Sequence, residues 1–474
     1  MIELSKTKIV ATIGPSSWDE NVLREMISNG MSVARINASF ADFDELKRVS
    51  ESIKRITARV ALMLDTQGHK IRVIGFNKEK EIKKENPIII IPQTFAKDRE
   101  LSDNYIPISY PSLHKDITRD AQIVLDDGNI VLQVKDIKGE EVFCTVIQGG
   151  ILKPKKTVNV PGIHLNFPSI SKKDADDIRF AVDNNFDFIS ASFIRNINDV
   201  AQIRKIMGNT QTKLIAKIED REGVDNFDQI LNFVDGIMIA RGDMGVELPL
   251  WEVPIIQKQM IYKCRCAGKP VIVATQMLES MRENIRPTRA EVSDVANAVM
   301  DGCDAVMLSA ETSTGKYPAE SVKMANDIAF NCEKVLIPQK VTGYTQASIE
   351  TDVLCSSLFD MSDQLHLKGV VILSKTGKTT QSLSRHRLNI PIWEVGNNIR
   401  RIRQNALLRG VKGYYLKDLP QDRDTAVKRA VECVYSYGEL DLDDKIAIIS
   451  GSSITNKSNN TILEISTVKD IIGL

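Results

Sequence analysis

The sequence predicts an α/β protein: a (β/α)8 TIM barrel with an inserted small all-β domain, followed by an open α/β sheet domain. Two observations predict the barrel. Eight short apolar runs alternate with helix-like segments, and several runs end in charged or hydroxyl residues, as strands do at the mouth of such a barrel. A third observation predicts the insertion, because the alternation stops once, between residues 74 and 163.

The eight predicted strands lie on both sides of this interruption. Between most of them are helical segments such as WDENVLREMISNG (18–30), whose Val22, Met26 and Ile27 follow helical spacing. The strands are TKIVATIG (7–14), SVARINAS (32–39), RVALMLD (59–65), DFISASFI (187–194), KLIAKIE (213–219), GIMIARGD (236–243), PVIVATQM (270–277) and AVMLSAET (305–312).

The interruption contains β-like runs but no long helix. AQIVLDDGNIVLQVKD and EEVFCTVIQGG are bounded by turn sequences, as expected of a small β module. A barrel loop of this length is large enough to act as a lid. We therefore expect a barrel over residues 1–73 and 164–338, and a lid domain over 74–163. Alternating runs near the end of the chain predict a C-terminal α/β domain over 345–474.

Composition bears on partners and location. Lys plus Arg (62) balances Asp plus Glu (62), so neither nucleic acid nor an anionic membrane is expected as a partner. No apolar run approaches the ~18 residues that span a bilayer, and the segment MIELSKTKIVATIG lacks the pattern of a signal peptide. The seven cysteines are scattered, with spacing that suits neither a zinc site nor a redox motif. We expect reduced thiols and a cytoplasmic location.

Charged and hydroxyl side chains follow three neighbouring strands. The segments IAKIED, IARGDMG and VATQMLESM supply Lys217, Glu219, Arg241, Asp243 and Thr275. Because alternate strand residues share a face, Lys217 and Glu219 should point the same way, as should Arg241 and Asp243. Two carboxylates, two cations and a hydroxyl then outline a metal-plus-phosphate site. Ion pairs among the same charges are the alternative.

These segments, taken in order with their neighbours, resemble the pyruvate kinases. Residues 215–318 carry IAKIEDREGV, ARGDMGVEL, KPVIVATQMLESM, RPTRAEVSDVANAVMDGCDAVMLSAET and TGKYP with family-like spacing, and weaker matches run from KIVATIGPSS to NNTILEI. The resemblance implies phosphoryl transfer from phosphoenolpyruvate to ADP, giving pyruvate and ATP in the last step of glycolysis. It also implies Mg²⁺ (or Mn²⁺) as cofactor and a homo-oligomer, commonly a tetramer, with residues 287–299 near an interface.

The resemblance assigns roles to the strand-end residues. Glu219 and Asp243 would bind Mg²⁺, for which hard carboxylate oxygens are suited. Lys217 would stabilise the phosphoryl group in transit. Arg35 would hold the substrate phosphate, and Arg72 would reach the phosphates from the nucleotide side, since forked donors suit both tasks.

Further implied roles concern the enolate, the substrate carboxylate and the nucleotide. Thr275 would position a proton or water, with Ser309 and Glu311 nearby; a simple hydrogen-bonding wall is the alternative. Main-chain groups of Gly242 and Asp243 would bind the carboxylate. In the lid, the resemblance implies that Asp127 and Lys156 contact the nucleotide. The alternative is that both side chains are simply solvated at the surface.

One departure from the family lies in the segment LDTQGHKIR. The positions implied for a monovalent cation are kept as Asn37, Ser39, Asp65 and Thr66, but Lys70 stands where the family usually has a glutamate. At an intermediate dielectric, an ammonium ~4 Å from K⁺ would be repelled by roughly 4 kcal/mol. We therefore expect activity without K⁺, with Lys70 in the cation role. The alternative is that Lys70 points to solvent and K⁺ still binds.

Two other stretches bear on nucleotide and effector binding. Phe40 and Ala41 replace the usual His-Gly pair. Because the histidine lies near the nucleotide in the family, the replacement bears on the affinity for nucleotide. In the C-terminal unit, which is regulatory in the family, a hydroxyl- and lysine-rich turn resembles the region that binds phosphorylated effectors in some members. A surface turn that caps a helix is the alternative. The residues of this turn are Ser374, Lys375, Thr376, Gly377, Lys378 and Thr379.

Two alternatives to a pyruvate kinase stay open from the sequence. One is another Mg²⁺-enolate barrel that uses phosphoenolpyruvate, a lyase or a mutase, which would not need an ADP lid. The other is a catalytically silent relative that binds metabolites through the C-terminal unit. The chain keeps the metal, lysine and threonine positions of the family, which argues against a catalytically inactive protein. These positions are Lys217, Glu219, Asp243 and Thr275.

Overall fold

The computed structural model describes residues 3–96, 102–168, 170–451 and 461–473, so that 459–460 of the NNTILEI match lie outside the described residues. The first three barrel strands come at the start of the chain. The elements are β1 (Lys8–Thr12), a 3-10 turn (Pro15–Ser17), α1 (Glu20–Ser28), β2 (Met31–Asn37), α2 (Phe43–Ile56) and β3 (Ala61–Asp65). Both helices begin after an aspartate whose carboxylate accepts free amide hydrogens.

After β3 the chain forms two sheets with a core of their own. The elements are β4 (Ile71–Arg72), β5 (Lys80–Ile82), β6 (Pro87–Pro92), α3 (Gln93–Ala96), β7 (Tyr105–Ile108), α4 (Leu113–Asp116), β8 (Gln122–Leu125), β9 (Ile130–Lys138), β10 (Glu141–Gln148), β11 (Gly150–Leu152) and β12 (Thr157–Asn159). The larger sheet has the order β4-β12-β8-β9-β10-β6-β7, and the smaller pairs β11 with β5. Alternate residues of β9, such as Leu132 and Val134, are fully buried, so this strand has one apolar face.

The second part of the barrel follows this insertion. Its elements are α5 (Lys172–Asp183), β13 (Phe188–Ala191), α6 (Ile197–Met207), β14 (Lys213–Ile218), α7 (Arg221–Asp225), α8 (Phe227–Phe233), β15 (Gly236–Ala240), α9 (Arg241–Glu247), α10 (Val253–Ala267), β16 (Val271–Ala274), a 3-10 turn (Glu279–Arg282), α11 (Arg289–Asp301), β17 (Ala305–Leu308), α12 (Ala310–Ser313) and α13 (Pro318–Glu333). The barrel closes in the order β1-β17-β16-β15-β14-β13-β3-β2, with parallel neighbours throughout. The predicted (β/α)8 barrel is confirmed.

Several predicted strands are too long at their carboxyl ends, and the runs over 236–243 and 305–312 continue into helices. The run expected over 236–243 stops as a strand just before Arg241, and Arg241 and Asp243 belong to the first turn of α9. Arg241 pairs with Asp294, whereas Asp243 pairs with Lys70. The expectation that Arg241 and Asp243 point the same way is therefore wrong, because strand alternation ends where the chain becomes helical.

The C-terminal part forms a separate open sheet. Its elements are α14 (Ile349–Gln364), β18 (Gly369–Leu373), α15 (Lys378–Ser384), β19 (Ile392–Gly396), α16 (Ile399–Gln404), a 3-10 turn (Asn405–Leu407), β20 (Val411–Tyr415), α17 (Arg423–Ser436), β21 (Lys445–Gly451), β22 (Thr461–Thr467) and α18 (Val468–Ile472). The strand order is β20-β19-β18-β21-β22, and β22 is antiparallel to β21. Two apolar clusters pack on this sheet, which agrees with the predicted α/β domain.

The C-terminal domain closes the amino-terminal end of the barrel. Leu407 is fully buried in the cluster of side chains inside the barrel. Around it, Arg387 pairs with Asp304 at 2.7 Å and Arg403 pairs with Asp187 at 3.0 Å. Both aspartates precede barrel strands, so these contacts lie opposite to the strands' carboxyl ends. Among the described residues, no helix combines the length and apolar character needed to cross a bilayer.

Candidate active site

At the carboxyl ends of the barrel strands, one carboxylate joins two cations. Asp65, the last residue of β3, accepts from Arg35 Nε at 2.7 Å and from Lys217 Nζ at 3.2 Å. All three side chains are less than a tenth exposed. Burial alone would raise the pKa of Asp65, but Arg35 and Lys217 outweigh it and lower the pKa below its usual value. Asp65 is therefore ionised and shared between the two cations.

Lys217 lies at the centre of this group. Its Nζ also donates to Ser192 Oγ at 2.7 Å and lies 3.1 Å from Glu219 Oε1. Burial lowers the pKa of Lys217, yet the carboxylates of Asp65 and Glu219 raise it more, so the net pKa lies above the ordinary value. The ammonium therefore stays charged at neutral pH.

Glu219 and Asp243 lie side by side. Phe193 N–H donates to Glu219 Oε2, and the nearby Asp243 carboxylate repels a negative charge on Glu219. Burial raises the pKa of the fully buried Glu219 to about 7, although Lys217 opposes the shift. Burial also acts to raise the pKa of Asp243, but Lys70 and Lys217 lower it below its usual value. Of the two carboxyl groups, Glu219 is therefore the more readily protonated and Asp243 the more readily ionised.

Lys70 extends into the mouth of the barrel. Its Nζ donates to Asp243 Oδ1 at 3.0 Å and lies 5.7 Å from the ring centroid of Phe193. The Lys70 side chain is 25% exposed. The orientation toward solvent, which the sequence left open, is therefore not the one found.

A small cavity of about 80 Å³ brings ten of the predicted site residues together. Glu219 lies beneath the cavity surface, completely buried. Barrel closure, rather than nearness in sequence, has assembled this set. The polar lining consists of Arg35, Asn37, Ser39, Asp65, Thr66, Gln67, Lys70, Ser192, Lys217, Asp243, Thr275 and Ser309.

Glu219 and Asp243 suit a divalent cation. Oε1 of Glu219 is buried without a hydrogen-bond partner, although Lys217 Nζ is close. Within the part of the chain that the structure describes, no three His, Cys, Asp or Glu side chains gather around one point. Two carboxylates are nevertheless what Mg²⁺ commonly takes from a protein, since substrate oxygens and water complete its octahedron. A bound cation would favour the ionised form of Glu219.

The four residues predicted for a monovalent cation all reach the small cavity but have partners within the protein. Asn37 Oδ1 accepts from Ser39 N–H at 3.0 Å, and the Thr66 carbonyl accepts from Ser192 Oγ at 2.8 Å. Both oxygens of Asp65 are paired with cations. The oxygen set is therefore present, but its negative charge is already neutralised.

Thr275 has an unusual main-chain conformation. Its φ is +72° and that of Gln276 is +54°, a left-handed region that β-branched residues rarely adopt and that costs on the order of 1–3 kcal/mol per residue. The Thr275 hydroxyl accepts from Gly242 N–H at 2.7 Å and donates to the Ala274 carbonyl. The amide predicted to bind the substrate carboxylate is thus engaged by Thr275.

Ser309 and Glu311 connect the turns that follow β16 and β17. Glu311 Oε2 accepts from Ser309 N–H at 2.7 Å, and Oε1 accepts from Leu278 N–H at 3.0 Å. Glu311 is fully buried; burial raises its pKa, while these amides act in the opposite direction. Glu311 therefore fixes the geometry of the wall that carries Ser309.

The predicted nucleotide contacts do not reach the small cavity. Arg72 donates to a lid carbonyl at 2.9 Å, and Lys156 pairs at 2.6 Å with Asp126 rather than with Asp127. Asp127 itself accepts from a threonine hydroxyl at 2.7 Å. Phe40, which replaces the usual histidine, is 83% exposed. Arg72, Asp127 and Lys156 therefore lie outside the small cavity.

A larger cavity of about 490 Å³ separates the lid from the barrel beside Lys70 and Asp243. Asn159 of β12 donates across it to Glu247 Oε1 of α9 at 2.7 Å. Burial raises the pKa of Glu247 to about 7, and the bond from Asn159 only partly opposes the shift. The lid and α9 are therefore linked through a carboxyl group that lies in the same helix as Asp243.

The hydroxyl- and lysine-rich turn lies between β18 and α15. Gly377 has a φ of +76°, and its N–H donates to Ser374 Oγ at 2.8 Å. The guanidinium of Arg401 packs so closely against Gly377 that a Cβ there would lie 1.4 Å from Nη2. Arg401 also pairs with the buried Glu394 at 3.2 Å. Phosphate binding by this turn stays a prediction. The rest of the turn is Lys375, Thr376, Lys378 and Thr379.

Some polar contacts of the site involve residues that the sequence did not single out. Thr12, the last residue of β1, accepts from Arg35 Nη1 at 2.8 Å. Ser192, which follows β13, accepts from Lys217. Both are hydroxyl residues at the ends of predicted strands, so the rule that identified Thr275 would also have found them.

Comparison with known proteins agrees with this architecture. The chain matches the family model for the pyruvate kinase barrel domain over residues 4–322, and the model for the pyruvate kinase alpha/beta domain over 352–465. It is 40% identical to the pyruvate kinase of Geobacillus stearothermophilus over 485 residues, covering 99% of this chain and 81% of that protein. Identity to the pyruvate kinases of Staphylococcus epidermidis strain RP62A and Staphylococcus aureus strain MRSA252 is 38%, with 99% of this chain and 82% of each relative covered. The chain therefore belongs to the pyruvate kinase family of phosphotransferases.

Proposed function

We propose that this enzyme transfers the phosphoryl group of phosphoenolpyruvate to ADP with Mg²⁺ or Mn²⁺, giving pyruvate and ATP as the last step of glycolysis. The observation that supports this best is the buried Lys217, held between Asp65 and Glu219 at the strand ends. A fixed positive charge at such a place stabilises a phosphoryl group in transit, where catalysis depends mainly on positioning and electrostatics.

In the proposed transfer, Arg35 and Lys217 bind the phosphoryl group from the barrel side. Their pairing with Asp65 fixes both cations before substrate arrives, so little reorganisation is needed during the reaction. The bond between phosphorus and the enol oxygen breaks, and the oxygen keeps the electron pair as an enolate. A new bond forms to an oxygen of the terminal phosphate of ADP.

Glu219 and Asp243 would hold the divalent cation. When bound, the cation neutralises charge on the phosphoryl and enolate oxygens. Cation binding would require the ionised form of Glu219, whose pKa burial raises to about 7, and would require Lys70 to release Asp243 Oδ1, to which it donates at 3.0 Å. The released ammonium stays within the cavity.

The enolate must then take a proton at carbon to become pyruvate. The Thr275 hydroxyl is too weak an acid to supply it at neutral pH, so its proposed role is to position water or relay a proton. Ser309 lines the same cavity. Main-chain groups of Gly242 and Asp243 would bind the substrate carboxylate, which would displace the Thr275 hydroxyl from Gly242 N–H.

The lid would deliver the nucleotide contacts. Arg72, Asp127 and Lys156 lie on the lid sheet or its turns, and the cavity of about 490 Å³ gives the lid room to approach the barrel. Closure of this kind excludes water and completes a catalytic site in many phosphotransferases. The Arg72 fork would then exchange its lid carbonyl for a phosphate.

We also propose that the reaction needs no K⁺. The Lys70 ammonium lies in the same cavity as Asn37 and Ser39, and the Asp65 carboxylate is neutralised by two cations. A K⁺ ion at this place would meet fixed positive charges, each repelling it by roughly 4 kcal/mol at ~4 Å and an intermediate dielectric. The tethered ammonium makes the ion unnecessary.

The first experiment measures pyruvate and ATP formation with Mg²⁺ in a buffer free of K⁺ and Na⁺, before and after KCl is added. Full activity before KCl supports both the reaction and the role of Lys70. Activity only after KCl keeps the kinase and refutes the Lys70 proposal. No pyruvate or ATP in either buffer would favour the phosphoenolpyruvate-using lyase or mutase, or the catalytically silent relative. We expect Lys70→Glu to make activity depend on KCl, whereas Lys205→Glu, at an exposed position of α6, should not.

Three further proposals rest on the family alone or nearly so. The enzyme would be cytoplasmic, which suits its seven free cysteines. It would form a homotetramer with residues 287–299 at an interface, and it would bind a phosphorylated effector at residues 374–379. Sedimentation velocity tests the assembly, because a monomer at micromolar concentration would contradict it. The effector site is tested by measuring activity with and without a sugar phosphate. Loss of the activation in Lys378→Ala would support the site.

A further inference from the structure

The side chain of Arg241 leaves the mouth and forms a rigid pair on the outside of the barrel wall. Its Nη1 and Nη2 donate to the two oxygens of Asp294 in α11 at 2.7 and 2.6 Å. A bidentate pair fixes the plane of the guanidinium as well as its position. The Arg241 side chain is 12% exposed and that of Asp294 is 34% exposed, so α11 supplies the anchor.

The anchored guanidinium reaches the main chain of Thr275. Nη2 of Arg241 donates to the Thr275 carbonyl oxygen at 2.9 Å and contacts Met277 Sδ. Nη1 also lies 3.4 Å from Gln257 Oε1 in α10. The segment after β16 is therefore clamped to α9, α10 and α11 through one side chain.

Thr275 is the residue that most needs such a clamp. Its left-handed φ of +72° is followed by a second left-handed residue, Gln276, and conformations of this kind persist only where surrounding contacts enforce them. The hydroxyl is held by Gly242 N–H and by the Ala274 carbonyl. Arg241 holds the opposite end of the residue, its carbonyl.

We propose that Arg241 is a positioning residue for proton transfer: anchored by Asp294, it holds the Thr275 carbonyl so that the Thr275 hydroxyl stays in the small cavity. This inference rests on the proposed function. The step concerned is protonation of the pyruvate enolate at carbon, in which a C–H bond forms and the proton comes from water. Arg241 does not line the small cavity, so phosphoryl transfer should not depend on it.

Two partial reactions separate these roles. Phosphoryl transfer is measured as ATP formed in a single turnover from phosphoenolpyruvate, ADP and Mg²⁺ by rapid quench. The reverse of protonation is measured by NMR as exchange of the pyruvate methyl hydrogens in D₂O with Mg²⁺ and ATP present. We expect Arg241→Met to slow methyl exchange by at least about tenfold, a part of the 10²–10⁴ that a positioned proton-transfer group supplies. Single-turnover ATP formation should stay within about twofold.

Two milder variants guard against misfolding. Arg241→Lys keeps one donor for the Thr275 carbonyl but loses the fork, so its exchange rate should lie between wild type and Arg241→Met. Asp294→Asn removes the anchor and should reproduce part of the exchange defect. Arg204→Met is the matched control, because Arg204 also donates to a carbonyl and to the carboxylate of Asp235, but near the amino-terminal end of β15.

The outcomes are distinguishable. A selective loss of exchange in Arg241→Met, with partial rescue in Arg241→Lys and no loss in Arg204→Met, supports the positioning role. Parallel losses of exchange and of ATP formation, or unchanged exchange in all variants, would overturn it. If wild type forms no ATP from phosphoenolpyruvate and ADP, it is the proposed function that fails, whatever the variants do.

Discussion

At the scale of single residues, Asp65 joins two buried cations at the mouth of the barrel. Its two oxygens hold Arg35 and Lys217 separately, and all three groups are buried. A buried charge that loses its partner is strongly destabilising, whereas loss of an exposed pair matters little. Asp65 therefore contributes to stability as well as to the arrangement of the site.

We expect Asp65→Asn to lower the free energy of unfolding by about 3–5 kcal/mol, because two buried cations lose their carboxylate. Urea denaturation measures the change. Asp360→Asn is the control, since its pair with Lys340 is half-exposed and its loss should change the free energy by less than about 1 kcal/mol. Equal effects in the two variants would contradict this account of Asp65.

The proposed binding of a divalent cation at Glu219 should depend on pH. Burial raises its pKa from 4.5 to about 7, so in the metal-free protein its stabilising contribution is full below pH 4.5 and is lost as pH rises through about 7. A divalent cation needs the ionised form. We expect the rise in Tm caused by Mg²⁺ to be small near pH 6 and larger near pH 8, as measured by scanning calorimetry. Glu219→Gln should remove this dependence, and an equal rise at both pH values in wild type would refute it.

At the scale of elements, α11 begins with reciprocal hydrogen bonds. Glu291 N–H donates to Thr288 Oγ1 at 3.3 Å, and Thr288 N–H donates to Glu291 Oε2 at 2.7 Å. Glu291 Oε1 also accepts from Ser280 N–H in the turn after β16, at 2.7 Å. The cap of α11 therefore also fixes the segment that follows Thr275.

We expect Thr288→Ala to lower the free energy of unfolding by about 1 kcal/mol, because the first turn of α11 loses its side-chain acceptor. Thermal unfolding followed by circular dichroism measures it. Ser357→Ala is the control: the Ser357 hydroxyl only donates back to the Val353 carbonyl within α14, a bond that does not stabilise a helix. A control effect as large as that of Thr288→Ala would count against the capping argument.

At the scale of the whole molecule, the barrel core is completed by the C-terminal domain. Leu407 belongs to the cluster inside the barrel, whereas its neighbour Leu408 belongs to the core of the C-terminal sheet. Ion pairs of Arg387 and Arg403 surround the contact. Barrel and C-terminal domain are therefore coupled through a shared core as well as through charge.

We expect Leu407→Ala to destabilise the protein by about 2–5 kcal/mol, through loss of burial and the cavity that it leaves. Hydrogen exchange should locate the effect, with faster exchange in barrel strands such as β1 and β15. Leu408→Ala, the neighbouring control, should instead loosen β18 and β20 of the C-terminal sheet. Identical exchange maps for the two variants would show that Leu407 does not act through the barrel.

The sequence by itself determined the barrel, the inserted sheets, the C-terminal sheet and most of the residues that line the small cavity. Apolar periodicity identifies strands and helices, and polar residues at strand ends must face one mouth once the strands are parallel. Local pattern was misleading at Arg241, where a strand was predicted to continue into what is the first turn of α9.

Only the tertiary structure decided which charges are paired. Asp65 lies between Arg35 and Lys217, Lys70 pairs with Asp243 rather than extending into solvent, and Arg241 turns outward. It also decided that Arg72, Asp127 and Lys156 lie outside the small cavity. Leu407 of the C-terminal domain lies in the apolar cluster inside the barrel. These partners are far apart in sequence. Their distances follow from barrel closure and domain packing, which no local sequence pattern encodes.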